Sequence, residues 1–215
     1  MPRFEVDSSD EKPLGKTGEK VPAIGLGTWR IRNYDLAFRA FVEGISLGLR
    51  MIDTAEIYDA GRAEEFVGRV VREVGRDNVF ITTKLTPGSL RSPDRAVRAA
   101  EASLRRLDVA YVDLVLAHWP ELLTPVERLV ASLEAIADRG YTRYIGVSNF
   151  SASQLSKAME ASRRYEIVVN QVKYSPLDRA VEKELLPMMI REGVTMQAYT
   201  PLEEPQAWKP SYVER

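Results

Sequence analysis

Arg50-Met51-Ile52-Asp53-Thr54-Ala55-Glu56-Ile57-Tyr58 decides how the rest of the chain is read. Met51 and Ile52 form a short buried strand that runs into an acid, and a tyrosine follows five residues later. An aspartate at the end of an apolar strand is costly to bury unless a positive group meets it. Two later strands end in candidates for that meeting. Val79-Phe80-Ile81-Thr82-Thr83-Lys84 ends in a lysine, and Asp113-Leu114-Val115-Leu116-Ala117-His118 ends in the chain's one histidine.

Helical patterns alternate with these strands. One spans Asp35 to Leu47, before Met51, and another Ala63 to Val74, before Val79. A third starts at Ser92 with Pro93 in its first turn and Val97, Ala100, Leu104 and Leu107 on one face. After His118, Thr124-Pro125-Val126-Glu127 predicts a capping box with proline in the first helical position, and Gly140 ends that helix. Tyr144 to Asn149 is the next strand, and Ser151 with Gln154 caps the helix behind it. Ile167 to Gln171 is a sixth strand, a short helix opening at Pro187 ends at Gly193, and Val194 to Tyr199 is a seventh.

Asp53, Lys84, His118, Asn149, Gln171 and Tyr199, all at strand ends, are separated by 31, 34, 31, 22 and 28 positions, about one strand-helix unit each. Such repetition means a parallel sheet with helical crossovers. A doubly wound sheet and a closed (β/α)8 TIM barrel both satisfy the alternation. Polar residues at the carboxyl end of nearly every strand favour the barrel, whose active sites are built there, over a sheet with one switch point.

At the amino end, residues 1 to about 10 read as a mobile arm. Pro13 to Pro22 reads as a small hairpin, and Ile24 to Trp29 as a first buried strand. The Gly-x-Gly of that strand is not a dinucleotide fingerprint, because Arg30 stands where the third glycine belongs. After Leu202 no periodic pattern continues. The expectation is therefore one domain over 1–215, with arm and hairpin at about 1–22. It has seven barrel strands and six helices, and no sequence for an eighth strand and two last helices. Open edges on the first and seventh strands would then invite self-association; the oligomeric state is left open.

Composition narrows the function classes. Of the 215 residues 45% are hydrophobic and 28% charged, and the net charge is −1, which suits a globular protein and favours neither nucleic acid nor an anionic membrane as partner. The Arg105-Arg106 and Arg163-Arg164 pairs read as solvated helix faces. Without cysteine, and with one histidine, disulfides, thiolate chemistry and a histidine zinc site fall away, so no metal is expected. The polar start is unlike a signal peptide and no apolar run approaches the ~20 residues of a membrane span, which points to the cytoplasm.

Singly, each polar residue has an ordinary reading: a structural histidine, a strand-end lysine at the surface, an aspartate capping a helix, a loop tyrosine. Their joint placement is what suggests a site. Gly27-Thr28-Trp29, Asp53 to Tyr58, Thr83-Lys84, His118-Trp119-Pro120, Ser148-Asn149-Phe150, Asn170-Gln171 and Ala198-Tyr199-Thr200-Pro201-Leu202 follow an order and spacing that resembles the aldo-keto reductase family, particularly its small prokaryotic members, from Pro13 to Leu202. The resemblance implies a (β/α)8 barrel that reduces small aldehydes or ketones with a nicotinamide cofactor, NADPH with NADH as an alternative.

It also implies roles. Tyr58 would donate the proton, Lys84 would lie beside its phenol, Asp53 would hold Lys84, and His118 would orient the carbonyl. Ser148, Asn149 and Gln171 would hold the carboxamide, Tyr199 would stack on the nicotinamide, Thr200 and Leu202 would touch the pyrophosphate, and Thr28 and Asp53 the ribose. Trp29 and Trp119 would wall the substrate pocket. An ammonium beside a phenol stabilises phenolate and would pull Tyr58 below its ordinary value of about 10. Nothing from Glu203 to Arg215 matches the family's adenosine-binding segment. Two other readings follow: a nucleotide-binding barrel without turnover, and a Schiff-base aldolase using Lys84, which a paired Asp53 disfavours.

Overall fold

The computed structural model describes residues 10–203; the expected arm and the segment beyond Glu203 lie outside the described residues. A hairpin of β1 (Glu11–Pro13) and β2 (Lys20–Pro22) opens the described chain. Then follow β3 (Gly25–Gly27), α1 (Tyr34–Ser46), β4 (Met51–Asp53), α2 (Arg62–Val74), β5 (Phe80–Leu85), α3 (Pro93–Leu107), β6 (Val112–Ala117), α4 (Val126–Asp138), β7 (Thr142–Ser148), α5 (Ala152–Ala161), β8 (Ile167–Lys173), α6 (Leu185–Glu192) and β9 (Thr195–Tyr199).

Strands β3 to β9 form one parallel sheet in chain order. Its curl is visible in one contact. β4 and β8 have three strands between them, which in a flat sheet is ~19 Å of separation. Yet Gln171 on β8 donates to Asp53 on β4 at 2.7 Å. The sheet therefore bends so that side chains of distant strands meet over a common interior.

Local sequence explains the helices. α2 buries Ala63, Phe66, Val67, Val70 and Val71 on one stripe, carries Glu64 and Glu65 in its first turn and Arg72 in its last, and stops at Gly75, whose φ is 87°. That is the spacing of an amphipathic helix, with charges placed to suit its dipole. Ser92 caps α3 with proline just inside it, and the expected capping box of Ser151 and Gln154 forms on α5. The box expected at Thr124 does not form. The helix starts one residue later than expected: Pro125 itself is the N-cap, with no side-chain cap bond. Its carbonyl accepts from the Arg128 and Leu129 N–H groups, while the Thr124 hydroxyl donates to Glu121 at 2.6 Å.

Alternate residues of the central strands face two apolar layers. Ile52, Ile81, Val115 and Ile145 pack outward with Val67, Leu129 and Leu133 of the helices. Phe80, Leu114, Leu116, Val168 and Val169 point inward, where Leu14 and Val21 of the hairpin plug the amino end of the sheet. Gly15 has φ 54°, and a Cβ there would stand 3.0 Å from Val168 Cβ, so the plug can only approach with glycine at this turn.

Two expectations need correction. The segment from Ile24 to Trp29 is mostly open rather than buried, with only Thr28 inside: Ile24 is 49% and Trp29 57% exposed, because β3 pairs only with β4 among the described residues. Nor do the arginine pairs simply face solvent from helices. Arg106 bonds the fully buried Glu64, and Arg163 and Arg164, which lie after α5, donate backbone N–H groups to buried Glu134 at 2.8 Å.

At the amino ends of the strands, charge replaces apolar packing. Asp113 is buried and accepts from Arg76 at 2.7 Å, from the Ile81 N–H at 2.8 Å and from Arg143 at 2.9 Å. Arg143 also pairs with Glu19 of the hairpin. Removing one partner of a buried pair strands the other charge, a loss of about 3–5 kcal/mol. Asp113→Ala should cost roughly that, whereas Arg50→Ala, from a half-exposed pair with Glu11, should cost ~1 kcal/mol or less. Urea unfolding midpoints at unchanged slope measure both, and equal losses would refute the buried network's role.

Candidate active site

At the carboxyl ends of the strands, Lys84 is fully buried on β5. Its ammonium makes three contacts: Asp53 Oδ1 at 2.5 Å, the Thr54 carbonyl at 2.8 Å and the Tyr58 hydroxyl at 3.1 Å. An ammonium has three N–H donors, so each is used. Nζ then has no lone pair for attack on a carbonyl, which tells against Schiff-base chemistry. The Tyr58 oxygen accepts from Lys84, so its own hydrogen is left to donate elsewhere.

Asp53 is held from both sides, since its Oδ2 accepts from Gln171 while Oδ1 accepts from Lys84. The pairing of β4 with β5 continues past β4: Thr54 N–H bonds the Thr82 carbonyl, and Glu56 N–H the Lys84 carbonyl. This carries the chain over the end of β5 and turns the Thr54 carbonyl toward Nζ.

Four rings line the mouth. Tyr58 lies 4.8 Å from Trp29 and 5.7 Å from His118 between centroids, and His118 lies 4.6 Å from Trp119. Trp29 and Trp119 are exposed. Burial lowers the His118 pKa to about 4, and the Lys84 charge pushes the same way; the imidazole is neutral at pH 7. Its Nδ1 is buried and has no hydrogen-bond partner among the described residues.

Tyr58 departs from expectation. Burial raises its pKa above the ordinary value and outweighs the ammonium and hydrogen bond of Lys84, which pull it down. Asp53 adds to the rise, because a carboxylate beside a phenol disfavours phenolate.

The polar residues of the later strands converge on the same mouth. Asn149 donates to Ser148 Oγ and to the His118 carbonyl, each at 3.1 Å, and accepts from the Tyr199 hydroxyl at 2.8 Å. Ser148 and Gln171 are buried. Thr28 is also buried, its hydroxyl bound to the Asp53 carbonyl at 3.0 Å, so it supports Asp53 from beneath. Thr200 and Leu202, just past β9, are exposed.

A family model, "Aldo/keto reductase family", matches residues 23–209. The chain belongs to the aldo/keto reductase family. It is 34% identical over 221 residues to the NADH-specific methylglyoxal reductase of Escherichia coli (strain K12), covering 89% of this chain and 67% of that protein. It is also 34% identical over 207 residues to a probable voltage-gated potassium channel subunit beta of Arabidopsis thaliana, covering 89% and 63%. Among solved structures, an aldo/keto reductase from Klebsiella pneumoniae in complex with NADP and acetate is 36% identical with a TM-score of 0.80, covering 87% of this chain and 67% of that one. The chain spans 63–67% of the length of these curated relatives.

Sequence reasoning missed the support of this reductase-family site. The Thr54 carbonyl has no signature, since every residue carries one. Glu56, which accepts from the Thr86 N–H at 2.7 Å and Ser89 Oγ at 2.8 Å, lies inside the motif that was read, but its service to the next loop is a tertiary fact.

The neutral state of His118 has a pH signature. Its folded pKa is below the unfolded value, so the folded state resists protonation. The stability this contributes is complete above about pH 6.5 and is lost as pH falls toward about 4. His118→Gln should flatten that window by roughly 2 kcal/mol, after allowing for solvent access. Unfolding free energies of both chains between those pH values measure the effect, and parallel curves would exclude it.

Proposed function

We propose that this site reduces the carbonyl of a small aldehyde or ketone to an alcohol, with a nicotinamide dinucleotide, NADPH or alternatively NADH, as reductant. The observation that carries the reading is the Tyr58 hydroxyl, 3.1 Å from the Lys84 ammonium and accepting from it, with its own proton left for the open mouth. Support comes from the relatives: one is a methylglyoxal reductase specific for NADH, and another was solved with NADP.

The donor set suits the nicotinamide end of such a group. A carboxamide needs both an acceptor and a donor. Ser148 Oγ accepts from Asn149 and keeps its own proton to give; Gln171 spends one N–H on Asp53 and keeps its amide oxygen to accept. Tyr199 is held by Asn149 with its ring half-buried beside them. When bound, the reduced nicotinamide supplies the hydride.

Everything else falls to the chain's own side chains. A raised pKa keeps the Tyr58 phenol protonated at pH 7, which suits a donor. As its proton moves to the carbonyl oxygen, charge develops on the phenol beside an ammonium already in place, so no reorganisation is required at that moment. Neutral His118 can only steady the carbonyl, since it carries no proton to lose near pH 7. Trp29 and Trp119 exclude water from the reacting face.

A positioned acid contributes ~10²–10⁴ in rate. Tyr58→Phe should therefore lower turnover of methylglyoxal by at least ~10²-fold, followed by the loss of nicotinamide absorbance, while nucleotide binding measured by calorimetry stays within about twofold. Turnover within threefold of the parent would remove Tyr58 as the donor. Nucleotide binding without turnover in the parent would favour a binding role for the chain instead.

A further inference from the structure

Behind the Tyr58–Lys84 pair lies a buried charge that the proposed reaction does not use. Glu64, in the first turn of α2, has no solvent exposure. Its Oε1 accepts from the Thr83 hydroxyl at 2.6 Å, and its Oε2 accepts from Nε of Arg106 on α3 at 2.7 Å and forms an ion pair with Nη2 at 2.6 Å. Arg106 is steadied in turn by Ser103 Oγ at 3.0 Å. Thr83 immediately precedes Lys84 on β5 and faces the opposite side of the strand. Glu64 thus ties the start of α2 to the back of the residue before the lysine.

The segment between Tyr58 and Glu64 explains why a tie is needed. Asp59, Ala60 and Gly61 have φ of 47°, 54° and 94°, three left-handed residues in succession. Only glycine adopts that conformation freely, and strained backbone persists where its surroundings over-determine it. Gly61 is part of the fit: a Cβ there would stand 2.7 Å from Arg106 Cδ. On the outer side Asp59 accepts from the Tyr34 hydroxyl at 2.8 Å, an exposed bond, so the buried anchor is the one at Glu64.

We propose that Glu64, clamped between Thr83 and Arg106, is a positioning residue that fixes the strained turn after Tyr58 and thereby sets the distance of the phenol from the Lys84 ammonium. The two ends of the clamp are six residues past Tyr58 and one residue before Lys84. With the clamp released, the turn can relax toward ordinary backbone and carry the phenol off Nζ. Both the hydrogen bond and the Coulomb attraction weaken with that distance. The inference rests on the reading of Tyr58 and Lys84 as the proton-transfer pair only for its kinetic consequence; the geometric consequence can be read without catalysis.

Thr83→Val keeps the side-chain shape and removes the donor to Glu64, and Thr83→Ser restores it. The chain is labelled with 3-fluorotyrosine, whose phenol is more acidic than tyrosine's, and the Tyr58 signal is assigned by its absence in Tyr58→Phe. In the valine variant the fluorine titration midpoint of Tyr58 should rise by roughly one unit, and in the serine variant it should stay at the parental value. NADPH-dependent turnover should fall about 10-fold in Thr83→Val with the KM for the carbonyl little changed. A folded Thr83→Val chain with an unchanged Tyr58 midpoint, losing only thermal stability, overturns the proposal. If the valine variant does not fold, Arg106→Gln opens the clamp from its partly exposed end and is held to the same midpoint. A shifted midpoint in a chain whose Tyr58→Phe variant keeps full turnover would support the clamp while removing Tyr58 as donor.

Discussion

The structure depends on keeping one ammonium in the interior. Lys84 has no solvent exposure, and an unpaired charge so placed would cost several kcal/mol. Three acceptors remove that cost, and each makes a demand on the fold. Asp53 must end β4 while Lys84 sits two residues past its neighbour in register, Thr82. The chain after β4 must keep pairing with β5 so that the Thr54 carbonyl turns inward. The segment beyond must then bend back sharply to bring Tyr58 over the strand end. The site is in this sense the solution to a burial problem posed by a single lysine.

The two ends of the sheet treat polar groups differently. At the amino end, Asp113, Arg76 and Arg143 are mutually saturated beneath the hairpin plug, which is what a closing layer requires. At the carboxyl end, bonds are made but capacity is left over: the Tyr58 proton, the Ser148 proton, the Gln171 amide oxygen. Backbone strain follows the same division. Arg30, Asp59, Ala60, Asn149, Thr200 and Glu203 all have positive φ, and all lie in the segments that follow the carboxyl end of a strand. Non-glycine residues in that region are held by their surroundings, and they gather where side chains must be aimed. Of the comparable residues, Asp108 caps a helix instead.

Much of this was legible because polar residues interrupt apolar runs. An acid closing Met51-Ile52 called for a positive group, strand endings offered Lys84 and His118 for it, and the family resemblance singled out Lys84. The curl of the sheet was expected from the recurrence of such endings, and the contact of Gln171 with Asp53 bears it out. What stayed hidden was polar residues in ordinary helical positions. Glu64 looks like one of two acids suiting a helix N-terminus, and Arg106 like half of a solvated pair; burial against β5 distinguishes them, and burial depends on how three elements pack. The box predicted at Thr124 did not form because the helix begins one residue later, with Pro125 in the cap position.

The same dependence on surroundings governs Tyr58. In sequence, a nearby ammonium argues for an acidic phenol; in the fold, burial acts on the same oxygen and is the larger influence. The two effects share a cause, because the packing that brings Lys84 to 3.1 Å also removes the water that would solvate a phenolate. A substrate filling the mouth removes more water, which disfavours phenolate further but also strengthens every remaining charge interaction by lowering the local dielectric. Only the second of these effects depends steeply on the separation of phenol and ammonium. A site that must hold its proton at rest and release it on demand is therefore most sensitive to that one distance, which the turn from Asp59 to Gly61 and the strand end at Lys84 set between them.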